Sequence, residues 1–434
     1  MSDSEAVCYR KLSELVSQVD AKITIRKDPT RPYVGLENIP SRGTHLTGWS
    51  LASSSISTNS IFQAGDVLFG KLRPNLRKCV VAPFDGYCST DILVLRANTG
   101  VVSSLAGKVL STEQVGAAAE MTSVGTKMPR TSWKHLRELE VFCPGFPEQS
   151  KIAKVLDTLD TAIHETEAII AKLKAVKQGL LHDLLTRGID ANGEPRPPQA
   201  EAPHLYKDSP LGWIPKEWDI SGLAGLAPKD RSVIRTGPFG SSLKGEHWRE
   251  SGRPVVTIGS LGEAVFIASE LLYVDEVTAA RLADFELIPG DVVFSRVADV
   301  GRSVVVSETE RGWIMSSNFM RISCDPAKAR PHFLQLLLAS SVLVRGQLRT
   351  TVNSAGRDVA NSAVLKGLSF PWPSPREQDE ILRRVHAIGQ LLIQEQAQLK
   401  KLLDGKSGLM DDLLTGRVRV TPLLAGAERE KEHA

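Results

Sequence analysis

The sequence predicts an α+β fold: two globular domains with twisted β-sheets, separated by two long antiparallel helices that form a coiled coil, the whole a pseudo-twofold internal repeat. Three observations predict it. One stretch occurs twice without a gap, from Glu148-Gln149 to Leu184-Leu185-Thr186 and from Glu377-Gln378 to Leu413-Leu414-Thr415, at a constant offset of 229 positions. Both copies carry apolar residues in alternating steps of four and three. The segments ahead of the copies share punctuation, Arg31-Pro32-Tyr33-Val34 with Arg253-Pro254-Val255-Val256 and Gly65-Asp66-Val67-Leu68-Phe69 with Gly290-Asp291-Val292-Val293-Phe294. A repeat of this length governs how the rest of the chain is read.

The step pattern is the a/d seam of a coiled coil. In the first copy the seam is Ile152, Leu156, Leu159, Ile163, Ile170, Leu173, Leu180 and Leu184. In the second it is Ile381, Val385, Ile388, Leu392, Leu399, Leu402, Leu409 and Leu413. Two seam positions are polar in each copy, Thr166 matching Glu395 and Lys177 matching Lys406. No proline interrupts either helix, and Gly188 and Gly416 stand where a helix can stop. At 1.5 Å per residue each rod is about 55 Å long.

Taken in order, residues 1–146 form a first globular domain. Its strand-like runs are Tyr33–Leu36, Asp66–Phe69, Lys78–Val81 and Asp91–Leu95, followed by a helix from Ser103 to Glu120 and the loop Ser123-Val124-Gly125-Thr126-Lys127. Residues 147–187 are the first long helix. Residues 188–210, with prolines 195, 197, 198, 203 and 210, read as an extended, semi-rigid linker. Asp190-Ala191-Asn192-Gly193 starts like a calcium loop, but Pro and Arg hold the later ligand positions, so it reads as a turn. Residues 211–375 repeat the first domain's plan, with Phe319–Ile322 for the Asp91 strand, Arg330–Leu348 for its helix and Ser354-Ala355-Gly356-Arg357 for the Gly125 loop. Residues 376–416 are the second long helix and 417–434 a C-terminal tail.

Composition narrows the class. With 53 basic and 50 acidic residues the net charge is only +3, so an acidic nucleic-acid mimic is excluded and any basic surface is local. The five cysteines, Cys8, Cys79, Cys88, Cys143 and Cys324, include no C-x-x-C pair, which argues against a zinc site or a disulfide framework and for a reducing cytosol. No leader-like apolar run and no membrane-length apolar stretch is present, so an intracellular protein with no membrane partner is expected.

Two equal rods in one chain most simply pack antiparallel, with the two domains at opposite ends. Similar heads with different surfaces suit two short sites on one long ligand, and duplex DNA is such a ligand. At Pro210-Leu211-Gly212-Trp213-Ile214-Pro215-Lys216-Glu217-Trp218, Gly237-Pro238-Phe239-Gly240-Ser241-Ser242-Leu243-Lys244, Gly290–Arg296 and the doubled Glu-Gln-to-Leu-Leu-Thr rod, the chain resembles the specificity subunits of type I restriction–modification systems. The resemblance covers nearly the whole chain, although the first domain lacks the Gly-Trp-Ile-Pro-x-x-Trp opening. It implies two target-recognition domains, each reading one half of a split double-stranded DNA sequence. It also implies binding to methyltransferase subunits and, through them, to a translocating endonuclease subunit in a prokaryotic cytoplasm. No cofactor is expected in this chain; in the family the partner subunits use S-adenosylmethionine, ATP and magnesium.

The residues agree with a chain that supplies no chemistry of its own. No G-x-G-x-x-G follows a strand, no Asn/Asp-Pro-Pro-aromatic tetrad is present, and the Gly405-Lys406-Ser407 fragment lies inside the rod with Lys400 where a phosphate loop needs glycine. The nine histidines show no metal-ligand spacing. For DNA, Lys71, Arg73, Asn75, Arg77 and Lys78 make the densest basic loop, with a solvated hairpin turn as the alternative. Arg296 and Arg302 bracket the corresponding loop of the second domain, Lys127, Arg130 and Arg357 lie in the loops before the rods, and Arg235 and Lys244 flank the Gly-Pro-Phe-Gly turn. The competing functions are a coiled-coil interaction scaffold that binds no DNA and a fused methyltransferase or nuclease.

Overall fold

A computed structural model describes residues 9–24, 30–52, 58–240, 242–354 and 359–424. The chain divides into two compact units, Met1–Ile170 with Gln394–Ala434, and Ala171–Ile393. The division falls inside both long helices rather than at their ends. Each unit draws on both helices for its core: Ile152, Ala153 and Leu156 meet Leu413, Leu414 and Val420 in the first unit, and Leu184, Leu185 and Ile189 meet Ile381 in the second.

Each unit is built on the same antiparallel four-stranded sheet. In the first unit the order is Val16–Gln18, Ile92–Ala97, Val67–Gly70, Cys79–Val81. In the second it is Ile234–Thr236, Phe319–Ile322, Val292–Ser295, Ser303–Val305. The third strand of each is buried along its whole length, as its unbroken apolar run requires. The Gly-Asp before it closes a turn. Gly65 and Gly290 take φ near +90°, which glycine adopts without strain. Asp66 and Asp291 then accept the N–H three residues back, from Gln63 at 2.8 Å and Ile288 at 2.9 Å. Each carboxylate is buried and neutralised by an arginine, Arg96 at 2.7 Å and Arg231 at 3.0 Å. A second sheet flanks each first one and contains a parallel pair at matching places, Pro32–Val34 with Gly86–Cys88 and Arg253–Val256 with Ile314–Met315. Among the described residues this sheet has five strands in the first unit and three in the second.

The single helices expected at Ser103–Glu120 and Arg330–Leu348 are each two. Ser103–Leu110 and Glu113–Met121 are separated at Thr112, whose hydroxyl caps the second by accepting the Val115 N–H. Pro331–Ser340 and Val342–Ser354 divide at the buried Ser341, which is extended and ends the first.

The long helices run Phe146–Thr186 and Pro375–Leu414. Within each unit the start of one packs antiparallel on the end of the other. Ile152, Leu156, Ile163, Ile170, Leu184, Ile381, Ile388, Leu392 and Leu413 are buried, while Leu159, Leu173, Leu180, Val385, Leu399 and Leu402 are partly so. Leu409 departs from the expected seam and is 37% exposed. Near its end the helix turns Met410, Leu413 and Leu414 inward instead, because a straight 3.6-residue helix drifts off a 3.5-residue repeat. Both helices stop where expected, with Gly188 and Gly416 at φ +65° and +75°.

The Glu-Gln pair that opens each helix acts alike in both units. Gln149 donates to Pro144 O and accepts the Val102 N–H at the cap of the Ser103 helix; Gln378 donates to Pro373 O and accepts the Arg330 N–H at the cap of the Pro331 helix. Glu148 receives Arg419 at 2.5 Å and Thr421 at 3.1 Å. Glu377 receives Arg196 at 2.6 Å, the Ile189 N–H at 2.8 Å and the Trp218 indole at 3.1 Å. Each helix start therefore holds the segment that continues from the other helix's end. The segment 188–210 is accordingly not the extended connector that its prolines predict. Arg196 is buried in the second unit, Tyr206–Lys207 pairs with Ile214–Pro215, and Tyr206 donates to Pro197 O. Asp190 makes the expected turn, accepting the N–H groups of Asn192 and Glu194. No helix among the described residues is long and apolar enough to cross a membrane.

Candidate nucleic-acid interface

In the first unit the buried strand Val67–Gly70 delivers the chain to the loop 71–78, and the sheet fixes both of its ends. The loop carries a 3-10 turn, Pro74–Leu76, flanked by Arg73 and Arg77 at φ 51° and 48°. Left-handed backbone at a residue with a side chain costs about 1–2 kcal/mol, so neighbouring contacts must hold it. They do: the Arg73 N–H donates to Pro129 O at 2.8 Å and the Arg77 N–H to Pro74 O at 2.9 Å. Strain held in this way concentrates at functional loops.

The loop before the first rod is stitched to this one. Val124 and Arg130 exchange both backbone hydrogen bonds at 3.0 Å, and the Thr131 N–H donates to Lys71 O at 3.0 Å. Two loops singled out by their charge thus form one surface. It exposes Arg73, Asn75 and Lys127, whose side chains have no hydrogen-bond or ion-pair partner among the described residues. Arg130 is also exposed, 3.0 Å from Asp91. Met121, Val124 and Met128 stand exposed on the same segment, an apolar contribution that a search for charge does not find.

Other candidates are turned into the protein. Arg77 makes a two-pronged pair with Glu113 of the Glu113–Met121 helix, and its side chain is only 13% exposed. Lys78 donates to Leu36 O at 2.6 Å, and Lys71 is half-buried. Arg77 and Lys78 thus shape the loop instead of presenting charge to a ligand.

In the second unit the same sorting occurs. Arg296 donates to Ala360 O at 3.2 Å and Ser317 O at 3.4 Å, and Arg302 is half-buried with Nε shut away from water. Arg235 lies over the Phe285 ring at 5.1 Å and 2.5 Å from Asp284. Lys244 is exposed, its N–H donating to His247 Nδ1 at 2.9 Å. Arg357 lies outside the described residues. The second unit also has a cleft of about 590 Å³ that Arg235, Phe239, Phe285, Arg296 and Asn318 help to line. It joins the Gly-Pro-Phe-Gly turn to the loop after the buried strand, so two stretches about 60 residues apart in sequence form one site.

Among the described residues no cluster of His, Cys, Asp and Glu is placed to hold a metal ion. No protein-family model matches the chain. Over 303 residues it is 22% identical to the type I restriction enzyme MjaVIII specificity subunit of Methanocaldococcus jannaschii, covering 69% of this chain and 67% of that one. The chain is similar to the specificity subunits of type I restriction enzymes. A second relative in that archaeon, the putative MjaX specificity subunit, is 23% identical over 286 residues, 66% of this chain and 60% of the relative. The EcoDI specificity subunit of Escherichia coli is 25% identical over 150 residues, about a third of each chain. The fold agrees. The type I specificity subunit from M. genitalium superposes with a TM-score of 0.58 at 14% identity, covering 95% of this chain and 98% of the other. A chain solved in a study of complex assembly and conformational transition of the type I R-M system gives 0.54 at 16% identity, with the same coverage. In this chain two of the motifs behind the resemblance have visible structural work: Trp218 holds Glu377, and Gly290-Asp291 closes the turn into the central strand.

Proposed function

We propose that the chain is the DNA sequence-specificity subunit of a type I restriction–modification complex, with each unit reading one half of a bipartite duplex target. The observation that carries this is the repetition of one sheet with unlike loops. The strands Val67–Gly70 and Val292–Ser295 occupy the same place in the same order, and the loops that leave them differ. One is a strained basic turn with Arg73 and Asn75 outward; the other is the wall of a cleft beside Phe239. A shared frame with unlike reading edges suits two different short sequences. Arginine and asparagine suit phosphates and base edges.

In this reading the long helices offer the methyltransferase subunits two equivalent docking surfaces, and the endonuclease joins through them. Catalysis then belongs to the partners, with S-adenosylmethionine, ATP and magnesium, in a prokaryotic cytoplasm. The test is to express the chain with its methyltransferase partner in a host that lacks other methylation and to sequence the methylome. A bipartite motif is expected. Methylation without a motif, or an assembled complex that does not retain DNA, would favour a coiled-coil scaffold.

A further inference from the structure

We propose that Phe239 is an apolar wedge that enters the base stack of the duplex held by the second unit; this rests on the DNA-binding reading above. Phe239 is 87% exposed, at the tip of a turn whose base is fixed. Gly237 and Pro238 are buried, and the Gly237 N–H donates to Phe319 O at 2.9 Å in the four-stranded sheet. A Cβ on Gly237 would lie 2.0 Å from Ser316 O, so only glycine lets the turn sit this close to the sheet. On the far side the Ser242 N–H closes the turn onto Phe239 O at 2.8 Å. The ring is thus held out by an anchored turn. What sets Phe239 apart from other exposed apolar side chains is this anchoring beside a cleft, which presents the ring as a fixed projection that an occupant would bury.

The surroundings decide which occupant. The two charged residues lining the adjoining cleft are Arg235 and Arg296, with Asn318 beside them and no carboxylate in the wall among the described residues. Arg235 is offset by Asp284, and Arg296 is held by the Ala360 and Ser317 carbonyls with no carboxylate on it among the described residues, so the wall keeps a fixed positive charge that suits a phosphodiester beside the ring. Phenylalanine is among the side chains that open a base step when a protein grips the flanking backbone, and the deformation itself carries sequence preference at steps with no hydrogen-bonded readout. The first unit has no counterpart among the described residues. Its equivalent strand, Val16–Gln18, leads into Val19 and Asp20. The proposal accordingly places the device in the second unit's half of the target.

The experiment uses the full chain assembled with its methyltransferase partner, without methyl donor, on duplexes carrying 2-aminopurine at each position of the target except the methylated base. In the wild type, fluorescence should rise on binding at one step of the second half-site. Phe239→Ala should lose that rise, Phe239→Leu should keep it, and signals in the first half-site should be unchanged in both. A rise that survives in Phe239→Ala overturns the proposal, as does bound wild-type complex with no responding step. Loss of methyltransferase assembly in Phe239→Ala would assign the ring to a protein partner and also overturn it. Failure of the wild-type complex to bind the duplex at all would instead sink the DNA-binding reading on which the wedge depends.

Discussion

The ammonium of Lys406 lies 2.6 Å from the carboxylate of Asp160, with only 12% and 5% of the two side chains exposed. Lys406 occupies a seam position that the repeat makes polar, and Asp160 is the anion that answers it. Lys108 reaches the same carboxylate and also Asp157 at 3.0 Å. At the place equivalent to Asp160 the second helix has Gly389, so the pairing occurs in one unit and not in the other. A charged group buried in a helix seam fixes register, since sliding by one turn leaves it unpaired.

Asp160→Leu should therefore destabilise the first unit by about 3–5 kcal/mol, the cost of leaving a buried cation unpaired. Asp160→Leu with Lys406→Leu should recover most of the loss, because Lys108 keeps Asp157. Chemical denaturation of the three proteins measures this. A double mutant as unstable as the single would show that the carboxylate serves something other than Lys406.

Arg73→Ala and Arg77→Ala should separate. Arg73 points to solvent, so its loss should weaken DNA binding and lower the salt slope by about one, with thermal stability unchanged. Arg77 is engaged by Glu113. Its loss should lower the melting temperature, and affinity should fall only as the loop loosens. Equal melting temperatures with equal losses in salt slope would put both guanidinium groups on phosphates.

These two arginines show how far a sequence can be read. The rods, their stops and the Gly-Asp strands are legible because they rest on period and backbone geometry, which a string of letters preserves. The direction of a long basic side chain is not. Arg77, Lys78 and Arg296 are as basic as Arg73 and Lys127, yet the first three end on protein carboxylate or carbonyl oxygens. Leu409 leaves the seam because a fixed seven-residue repeat hides the drift of a straight helix. Phe239 carries no charge, and nothing in its spacing says that it is left outside. The folding of segment 188–210 is hidden because proline suggests extension, while the buried Arg196 that ties it down has its partner Glu377 far along the chain.

Acid should loosen the first unit through Glu148. The Arg419 guanidinium, helped by the Thr421 hydroxyl, holds its carboxyl below the ordinary value of 4.5. The folded state then binds fewer protons than the unfolded one below that pH, so this stabilisation is complete above about 4.5 and is lost as pH falls toward the folded value. Melting temperatures measured from pH 7 to pH 3 should fall, and Glu148→Gln should start lower and fall less. An identical slope in the mutant would assign the acid sensitivity to other carboxylates.

Exchanging residues 1–146 for the same segment of another family member should change one half of the methylated motif and leave the other. Methylome sequencing reads both halves at once. A change in both would mean that the reading edges are not independent.

The strands Val67–Gly70 and Val292–Ser295 are buried from end to end, whereas the loops they launch lie at the surface and differ in length, charge and shape. Substitutions at the outward positions of such loops, as at Arg73 and Asn75, touch neither the sheet nor the closed Gly-Asp turns. A lineage under pressure to alter what it binds can therefore vary these outward positions one edge at a time, while the inward arginines and the sheets beneath carry the folding of each unit.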